Sequence, residues 1–528
     1  MAASKGKSFP KKILFYDTTL RDGTQSEGIS LSLQDKLMIA KRLDEFGMHY
    51  IEGGWPGSNP KDLAFFKEVK NIGIRHAKIA AFGSTRRMHT RVQEDVNVKA
   101  LLESKTKVVT IFGKSWDFHV TEVFKVSLKE NLNMIYETVA YLKSKKLEVI
   151  YDAEHFFDGF KANPEYAIKA LQAAVRGGAD NLTLCDTNGG TLPHEVRRAI
   201  LRVKRSFKTP LGIHCHNDGE HAAANSIQAA GEGAVLIQGT VNGLGERCGN
   251  ANLMSIIPIL QLKMKQNCFS PKKLKELTQV SYYVAEICNM PIPLNQPFTG
   301  RAAFAHKGGV HINAMMKNPG TYEHMDPRVI GNHRRFLVSE LGGKTNIMMK
   351  AKELQLNLDK ESPETRKILT EIQKRENEGY QYEAAEASFE LMVQKILGKE
   401  KTFFAASDVY ISAESIGDAN PTVHANVTVK VKNKVKQGKA LGDGPVDALY
   451  KALREGLIKF YPVIGEIRLT DYKVRVVNSE AGTAAKVRVF IEFQDKDRIW
   501  TTVGVDKNII EASWIALVDA IQYKLLKG

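Results

Sequence analysis

The chain has 528 residues, of which 43% are hydrophobic and 25% charged, and a formal net charge of +16 at neutral pH. A chain of this length is expected to form two or three domains, and the composition is that of an ordinary soluble globular protein. The absence of an apolar run of about 18 residues argues against a membrane span, and cysteines without a CxxC pair argue against a zinc ribbon or a disulfide framework.

The positive charge is spread along the chain. Basic residues are interleaved with acids, as in Lys350-Ala351-Lys352-Glu353 and Lys374-Arg375-Glu376, and no platform of aromatic and basic residues is present. Dispersed, solvated charge explains this balance better than a nucleic-acid surface, and phosphorylated small molecules such as coenzyme A would also favour it. We therefore expect no nucleic-acid partner and no membrane association.

The N-terminus and the cysteines bear on location. Residues Met1–Lys12 are polar and basic without an apolar core, so we expect no secretory signal. The odd number of cysteines predicts reduced thiols and a cytoplasmic protein. These cysteines are Cys185, Cys215, Cys248, Cys268 and Cys288.

From Lys12 to about Gln261, short apolar runs alternate with longer amphipathic stretches. The eight runs predicted as strands are Ile13–Tyr16, Tyr50–Glu52, Ile79–Phe82, Val108–Phe112, Val149–Asp152, Leu182–Cys185, Leu211–His216 and Leu236–Thr240. Helical patterns such as Asp35–Phe46, Ala167–Arg176 and His194–Arg205 lie between them. Eight such units in about 250 residues predict an α/β fold, the (β/α)8 TIM barrel, with a doubly wound sheet as the alternative.

Polar residues follow the predicted strands, at the end where TIM barrels carry their active sites. In chain order these residues are Arg21, Asp22, Glu52, Glu154, Asp186, Thr187, His214, His216, Asn242, Glu246 and Arg247. The sequence therefore predicts an active site at the carboxyl rim of the barrel.

Two histidines on the seventh strand suggest a metal site. Side chains alternate along a strand, so His214 and His216 share one face and Cys215 points the other way. With Asp22 they offer two imidazoles and a carboxylate, a set suited to Mn, Zn, Co or Mg. Two partly buried histidines are the alternative for the pair alone. Asn250, in a glycine-rich segment after the eighth strand, could add an amide oxygen or could belong only to a turn.

Other rim residues admit two interpretations each. Arg21 could neutralise charge on a substrate oxygen, or it could form a salt bridge with Asp17. Glu154 and Thr187 could bind the substrate and a catalytic water, or they could cap the rim.

Beyond the barrel, His306 and His311 lie in a glycine-rich stretch. A general base there would contribute about 10²–10⁴ in rate, but without other information both are interpreted as surface residues.

The character of the chain changes after Pro293. Residues 346–401 have a charged helical pattern that includes Ser362–Glu378 and Tyr382–Leu397, and strand patterns return from Phe403 onward. The predicted strands are Ala425–Val431, Glu466–Val476, Ala485–Phe493 and Trp500–Val505, and the predicted helices are Gly444–Ile458 and Asn508–Leu526. This pattern predicts two strand-strand-strand-helix repeats. We expect a catalytic barrel in residues 1–294, linker subdomains that cover the active site in residues 295–402, and an α+β domain in residues 403–528.

Four segments together resemble a family of acyl-CoA-condensing metalloenzymes, the 2-isopropylmalate, homocitrate and citramalate synthases. The segments read DTTLRDGTQ (17–25), HCHND (214–218), GLGERCGNANL (243–253) and AHKGGVHINA (305–314). GDGPVDAL (442–449) and GVDKNIIEASWIALVDAI (504–521) resemble the effector domain of the family, so the likeness covers nearly the whole chain. Gly53 and Trp55 stand where isopropylmalate synthases usually have valine and phenylalanine, which favours the citramalate branch.

The resemblance implies roles for individual residues. Metal ligands would be Asp22, His214 and His216, with Asn250 as a further ligand. Arg21 would stabilise an oxyanion, Glu154 and His311 would form an acid/base pair with Tyr322 nearby, and Thr187 would bind the carboxylate of a 2-oxo acid. The residues predicted to contact substrate are Arg21, Gln25, Glu52 and Thr187.

The resemblance also implies an activity and its partners. We expect pyruvate and acetyl-CoA, with a divalent metal, to give citramalate and coenzyme A in a branch of isoleucine synthesis. A homodimer in which the His311 segment completes the partner's active site is implied, with isoleucine as effector. A 2-isopropylmalate synthase is the alternative in the same class, a carbon–carbon lyase is disfavoured by the C-terminal region, and an inactive amino-acid sensor is the alternative from another class.

Overall fold

The computed structural model describes residues 12–337, 362–414, 422–477, 482, 485–496 and 498–528. The predicted helical pattern between residues 346 and 361 and nearly all of the polar N-terminus lie outside these ranges. The described chain divides into two compact units. One contains the residues up to Phe304 and Asp326–His333, and the other contains Ala305–Met325 and the residues from Arg334 onward.

The first unit is a closed barrel of eight parallel strands in chain order, which confirms the predicted fold. The strands are β1 Leu14–Asp17, β2 Tyr50–Gly54, β3 Lys78–Ser84, β4 Val108–Lys114, β5 Glu148–Glu154, β6 Asn181–Asp186, β7 Leu211–Cys215 and β8 Leu236–Gly239. Pairing of β1 with β8, in which Leu14 lies opposite Leu236, closes the barrel.

The helices of the first unit lie between these strands and, for the last three, after β8. They are α1 Leu33–Phe46, α2 Pro60–Glu68, α3 Val96–Glu103, α4 Leu128–Ser144, α5 Phe156–Ala162, α6 Pro164–Gly177, α7 Pro193–Ser206, α8 Ala222–Glu232, α9 Leu253–Pro258, α10 Pro271–Leu274 and α11 Leu277–Ile287. Their ends follow local chemistry: Ser32 and Asp35 form a capping box at the start of α1, and Gly47 ends that helix at a φ of 101°.

The barrel interior has an apolar layer beneath a polar one. The apolar layer contains Leu14, Tyr16, Tyr50, Ala80, Val108, Ile150 and Leu236. Two residues beyond Tyr50, Val108, Ile150 and Leu236, towards the carboxyl ends of their strands, are the buried polar residues Glu52, Thr110, Asp152 and Gln238, and Thr183 on β6 is buried as well. Because side chains two apart share a strand face, this polar layer points into the same interior and forms the floor of the site described below.

The second unit contains the two predicted repeats of three strands and a helix. Its strands are β9 Ala305–His306, β10 Arg335–Phe336, β11 Ala405–Glu414, β12 Thr422–Val431, β13 Lys434–Gly442, β14 Arg468–Val476, β15 Val487–Gln494 and β16 Ile499–Asp506. Its helices are α12 Gly309–Lys317, α13 Pro363–Glu378, α14 Glu386–Ile396, α15 Pro445–Leu457 and α16 Ile509–Lys527. The sequence prediction missed β11 and β13, which are rich in exposed and charged residues and therefore lack a clear apolar alternation.

Each repeat forms an antiparallel three-stranded sheet, in the orders β11-β12-β13 and β14-β15-β16. Alternate residues of β12 and β15 pack with α15 and α16 into one apolar core. The opposite face of the second sheet is covered by α13 and α14, where Val503 and Val505 share one buried apolar cluster with Ile368 and Phe389. None of the described helices is long and apolar enough to cross a membrane.

Candidate active site

Asp22, His214 and His216 converge at the carboxyl end of the barrel. Asp22 follows β1 in a tight turn closed by the Gly23 N–H donating to the Thr18 carbonyl. Asp22 Oδ2 lies 3.4 Å from His214 Nε2 and 3.9 Å from His216 Nε2. All three residues are buried, and their ligand atoms lie within 4.8 Å of one another.

The chemistry of this cluster fits a divalent metal. Burial is the main reason that the pKa of His214 falls to about 4 and that the pKa of His216 is lowered, so both rings are neutral at pH 7. Burial would raise the pKa of Asp22, but the charge of Arg21 and a hydrogen bond from Asn250 act in the opposite direction, and the pKa is lowered on balance. Among the described residues no group donates a hydrogen bond to the buried Asn250 Oδ1. Two neutral imidazoles, an ionised carboxylate and an amide oxygen form a suitable donor set.

Arg21 is held by Glu52. The Arg21 Nε donates to Glu52 Oε2 at 2.6 Å, and Arg21 Nη1 lies 3.2 Å from Asp22 Oδ2. The guanidinium carbon lies 3.8 Å from the centre of the Phe82 ring. Asp17, the alternative partner considered for Arg21, instead accepts hydrogen bonds from the Thr19 N–H and hydroxyl.

Glu52, on β2, is the buried partner of Arg21. It is fully buried, and its second oxygen accepts a hydrogen bond from the Tyr16 hydroxyl at 2.8 Å. Both Glu52 oxygens are engaged, one by Arg21 and one by Tyr16, and the predicted contact of Glu52 with the substrate stays a prediction. Its contacts are those of a residue that positions Arg21.

A cavity of about 230 Å³ opens above the cluster. Its lining consists of Arg21, Asp22, Gln25, Trp55, Phe82, Phe112, Asp152, Glu154, Cys185, Thr187, His214, His216, Glu246 and Arg247. Trp55 packs edge-on against both Phe82 and Phe112 at centroid distances of 5.7 and 5.6 Å. These rings give the cavity one apolar wall, while the remaining lining is polar.

Glu154 and Thr187 lie on the wall of this cavity. The Glu154 carboxylate forms an ion pair with Lys114, which ends β4. Thr187 Oγ1 accepts a hydrogen bond of 2.8 Å from the backbone N–H of His155, which leaves its hydroxyl proton available to another acceptor. His155 adopts a φ of 54°, a left-handed conformation that is uncommon outside glycine and often found at functional sites.

Other rim residues have structural contacts. Asp186 accepts hydrogen bonds from the hydroxyl and N–H of Thr191. Asn242 donates to the Ser281 carbonyl on α11, and Arg247 is fixed by Asp218 at 2.7 Å. Asp186 and Asn242 therefore shape loops, whereas Arg247 also lines the cavity.

His311 and Tyr322 belong to the second unit. Their rings stack with centroids 4.2 Å apart, and both side chains are exposed. Below them, Glu323 binds His306 at 3.3 Å and forms an ion pair with Arg334. The pair is thus preassembled within its own unit.

Sequence reasoning missed several lining residues. Asp152 precedes Glu154 by two positions on one strand, so the alternation of side chains alone would have placed both in the interior. The same rule applies to Phe112 and its neighbour Thr110. Trp55 lies on a loop, where no periodic signal points to the cavity, whereas Arg247 was among the predicted rim residues and does line the cavity.

Comparison with known proteins agrees with this arrangement. Residues 12–284 match the HMGL-like family model, residues 298–379 the homocitrate synthase post-HMGL domain-like model, and residues 383–525 the LeuA allosteric (dimerisation) domain. An (R)-citramalate synthase of Aquifex aeolicus is 54% identical, with 98% of both chains covered. The chain belongs to the family of the 2-isopropylmalate, homocitrate and citramalate synthases.

More distant members of the family also match along nearly the whole chain. An (R)-citramalate synthase of Geobacter sulfurreducens is 52% identical over 98% of each chain. A 2-isopropylmalate synthase of Methanocaldococcus jannaschii is 29% identical, covering 99% of this chain and 97% of the relative. The predicted family membership is confirmed, and the chain is an enzyme of this family.

Proposed function

We propose that the protein condenses pyruvate with acetyl-CoA and water to give citramalate and coenzyme A. The observation that carries this proposal is the similarity to five (R)-citramalate synthases at 43–54% identity over 97–98% of the chain. Two of the matched relatives, a 2-isopropylmalate synthase and a probable 2-isopropylmalate synthase, are 29% identical. The cavity supports the same choice, because the Trp55, Phe82 and Phe112 rings leave a compact apolar wall suited to the methyl group of pyruvate.

The polar lining offers partners for the rest of the 2-oxo acid. The Thr187 hydroxyl, whose oxygen already accepts from the backbone, can donate to the carboxylate. Arg21 faces the carbonyl side, where its charge stabilises the oxyanion that forms on addition. A divalent metal held by Asp22, His214, His216 and Asn250 would supply Lewis-acid polarisation of the substrate carbonyl. Gln25 lies on the same wall and completes the proposed substrate contacts.

The reaction requires four steps. A base removes a proton from the acetyl methyl group, and the resulting carbon nucleophile attacks the ketone carbon of pyruvate. The alkoxide then takes up a proton, and water hydrolyses the thioester, which releases the thiol of coenzyme A. We assign the proton transfers to Glu154 and His311, with Tyr322 holding the imidazole by stacking.

The test is thiol release in the presence of acetyl-CoA and a panel of 2-oxo acids. Release with pyruvate, confirmed by detection of citramalate, supports the proposal. A preference for 2-oxoisovalerate would replace it with 2-isopropylmalate synthase, and no release with any acid would favour an amino-acid sensor.

We further propose a homodimer whose active site includes His311 of the partner subunit. The family model for residues 383–525 is a dimerisation domain, and His311 with Tyr322 forms an exposed pair in a unit separate from the barrel. Residues 1–294 would carry the barrel chemistry, residues 295–402 would cover the site, and residues 403–528 would bind isoleucine as effector. The five free cysteines suit a reducing compartment, the cytoplasm.

Complementation tests the shared site. His311→Ala and Asp22→Ala subunits are each expected to be inactive, and exchange between them creates dimers with one intact site. Mixing equal amounts should restore up to about one quarter of the wild-type activity, since random exchange makes half of the dimers mixed. Exchange must be shown separately with tagged subunits. If tagged subunits exchange and activity stays absent, each chain works with its own His311.

A further inference from the structure

The polar layer beneath the cavity contains a glutamine that contacts three other strands. Gln238 lies on β8 and is fully buried. Its Oε1 lies 2.9 Å from His214 Nδ1 on β7. Its Nε2 donates to Asp152 Oδ1 on β5 at 2.9 Å and to Thr183 Oγ1 on β6 at 3.3 Å.

The neighbours of Gln238 fix the orientation of its amide. The Thr183 hydroxyl donates its single proton to Asn181 Oδ1 at 3.0 Å, so Thr183 Oγ1 meets Gln238 as an acceptor. Asp152 Oδ1 is also an acceptor in this contact. In this arrangement the amide nitrogen faces Asp152 and Thr183, and the amide oxygen faces His214.

This orientation determines how His214 is presented. An amide oxygen only accepts hydrogen bonds, so His214 Nδ1 carries the ring proton and Nε2 keeps its lone pair. Nε2 is the atom that faces Asp22 Oδ2 at 3.4 Å. A hydrogen bond at the ring nitrogen that does not bind the metal also fixes the rotation of a ligating imidazole. Loss of such a hydrogen-bond partner typically weakens metal binding about 10–100-fold.

We propose that Gln238 is the positioning residue for His214, and that Asp152 and Thr183 hold its amide in the orientation that makes His214 a metal ligand through Nε2. The inference rests on the metal site of the proposed function but not on the identity of the 2-oxo acid.

The first test measures Mn²⁺ affinity of the full-length protein by electron paramagnetic resonance. Gln238→Met keeps the length of the side chain and removes both hydrogen-bonding groups, so we expect about 10–100-fold weaker binding of Mn²⁺. Gln296→Met is the matched control, because Gln296 is also buried and donates to Asn242 Oδ1 and Thr299 Oγ1 in the same unit. The control should bind Mn²⁺ as the wild type does.

The second test replaces the amide at position 238 with a carboxylate and then places an amide at position 152. Gln238→Glu keeps an acceptor for His214 but turns a second carboxylate towards Asp152, so it should also weaken Mn²⁺ binding. Adding Asp152→Asn supplies a donor for Glu at position 238 and should recover most of the affinity. This recovery distinguishes orientation from a packing defect, and it still decides the matter if Gln238→Met does not fold.

Nitrogen-15 NMR of the histidine rings in metal-free protein gives a readout independent of metal and activity. The His214 signal, assigned by its loss in His214→Ala, should report the Nδ1–H tautomer in the wild type and a mixture in Gln238→Met. Wild-type affinity and an unchanged tautomer in Gln238→Met would overturn the inference, as would a wild type that binds no Mn²⁺. A wild type that binds Mn²⁺ through His214 without condensing any 2-oxo acid would instead overturn the proposed function.

Discussion

The barrel and the second unit depart from the usual distribution of side chains in opposite directions. The barrel buries polar groups, among them Glu52, Asp152 and Gln238, in its interior. The second unit exposes apolar groups on its first sheet: Tyr410 is 60% and Val435 63% exposed. Polar groups are buried at a free-energy cost unless they are hydrogen-bonded, and exposed apolar patches commonly mark association.

The second unit makes the contrast clearer because its two sheets differ from each other. The second sheet has α16 on one face and α13 and α14 on the other. The first sheet has α15 on the face of Val427 and Val429. Tyr410, opposite Asn426 in the register, lies on the other face. One repeat is thus covered on both faces, and the exposed rings and aliphatic groups of the other repeat are available to a second subunit.

The largest expected effect comes from the buried polar cluster. His214→Ala or His216→Ala should remove bound Mn²⁺ and lower turnover by at least about 10³-fold, because Lewis-acid stabilisation of several kcal/mol is lost at 1.36 kcal/mol per factor of ten. Metal content and steady-state rates measure this. Cys215→Ala is the control between them, since Cys215 points away from the cavity towards Ser226. Full activity in chelated, metal-free protein would contradict the prediction.

A second substitution tests whether a buried carboxylate acts through its neighbour. Glu52→Gln should lower kcat about 10²-fold, because Arg21 loses the charge that fixes it and a small displacement of a catalytic group has effects of this size. Glu148→Gln is the matched control: Glu148 also accepts from a tyrosine and pairs with a lysine, at the start of β5. Equal rates for Glu52→Gln and wild type would show that Arg21 needs no anchor.

The metal-site residues and Glu52 show how much of this site can be predicted from the sequence. Asp22, His214 and His216 could be predicted because each lies at the end of a strand and a parallel barrel brings those ends together. The position of Glu52 below Arg21 could not, since it depends on the depth at which β2 meets β1 within the barrel. Likewise, β11 and β13 were missed because exposed and charged residues interrupt the alternation of apolar and polar side chains that predicts a strand.

Trp55, in the apolar wall above the polar floor of the cavity, is expected to limit the size of the 2-oxo acid. Trp55→Leu should shift the ratio of kcat/KM for 2-oxoisovalerate and pyruvate about tenfold towards the larger acid, because discrimination by a few methyl groups has this magnitude. The indole is fixed by a hydrogen bond of 2.6 Å from Trp55 Nε1 to Asn97 Oδ1, and leucine is smaller and cannot form it. Measuring both substrates on the same variant provides the control. An unchanged ratio would mean that another part of the lining sets the size limit.

The smallest expected effect concerns regulation and involves the exposed face of the first sheet in the second unit. If isoleucine acts through association of this face, burial of Tyr410 between subunits is part of the coupling, and a charged side chain there opposes it. Isoleucine should inhibit the wild type, and Tyr410→Lys should raise the concentration needed for half-inhibition at least about fivefold, the lower end of ordinary allosteric coupling. Tyr282→Lys is the matched control, since Tyr282 is an exposed tyrosine on α11 of the barrel unit. Sedimentation of each variant reports whether association changes together with inhibition. Inhibition of Tyr410→Lys at the wild-type isoleucine concentration would separate this face from the effector response and leave it with a role in dimerisation alone.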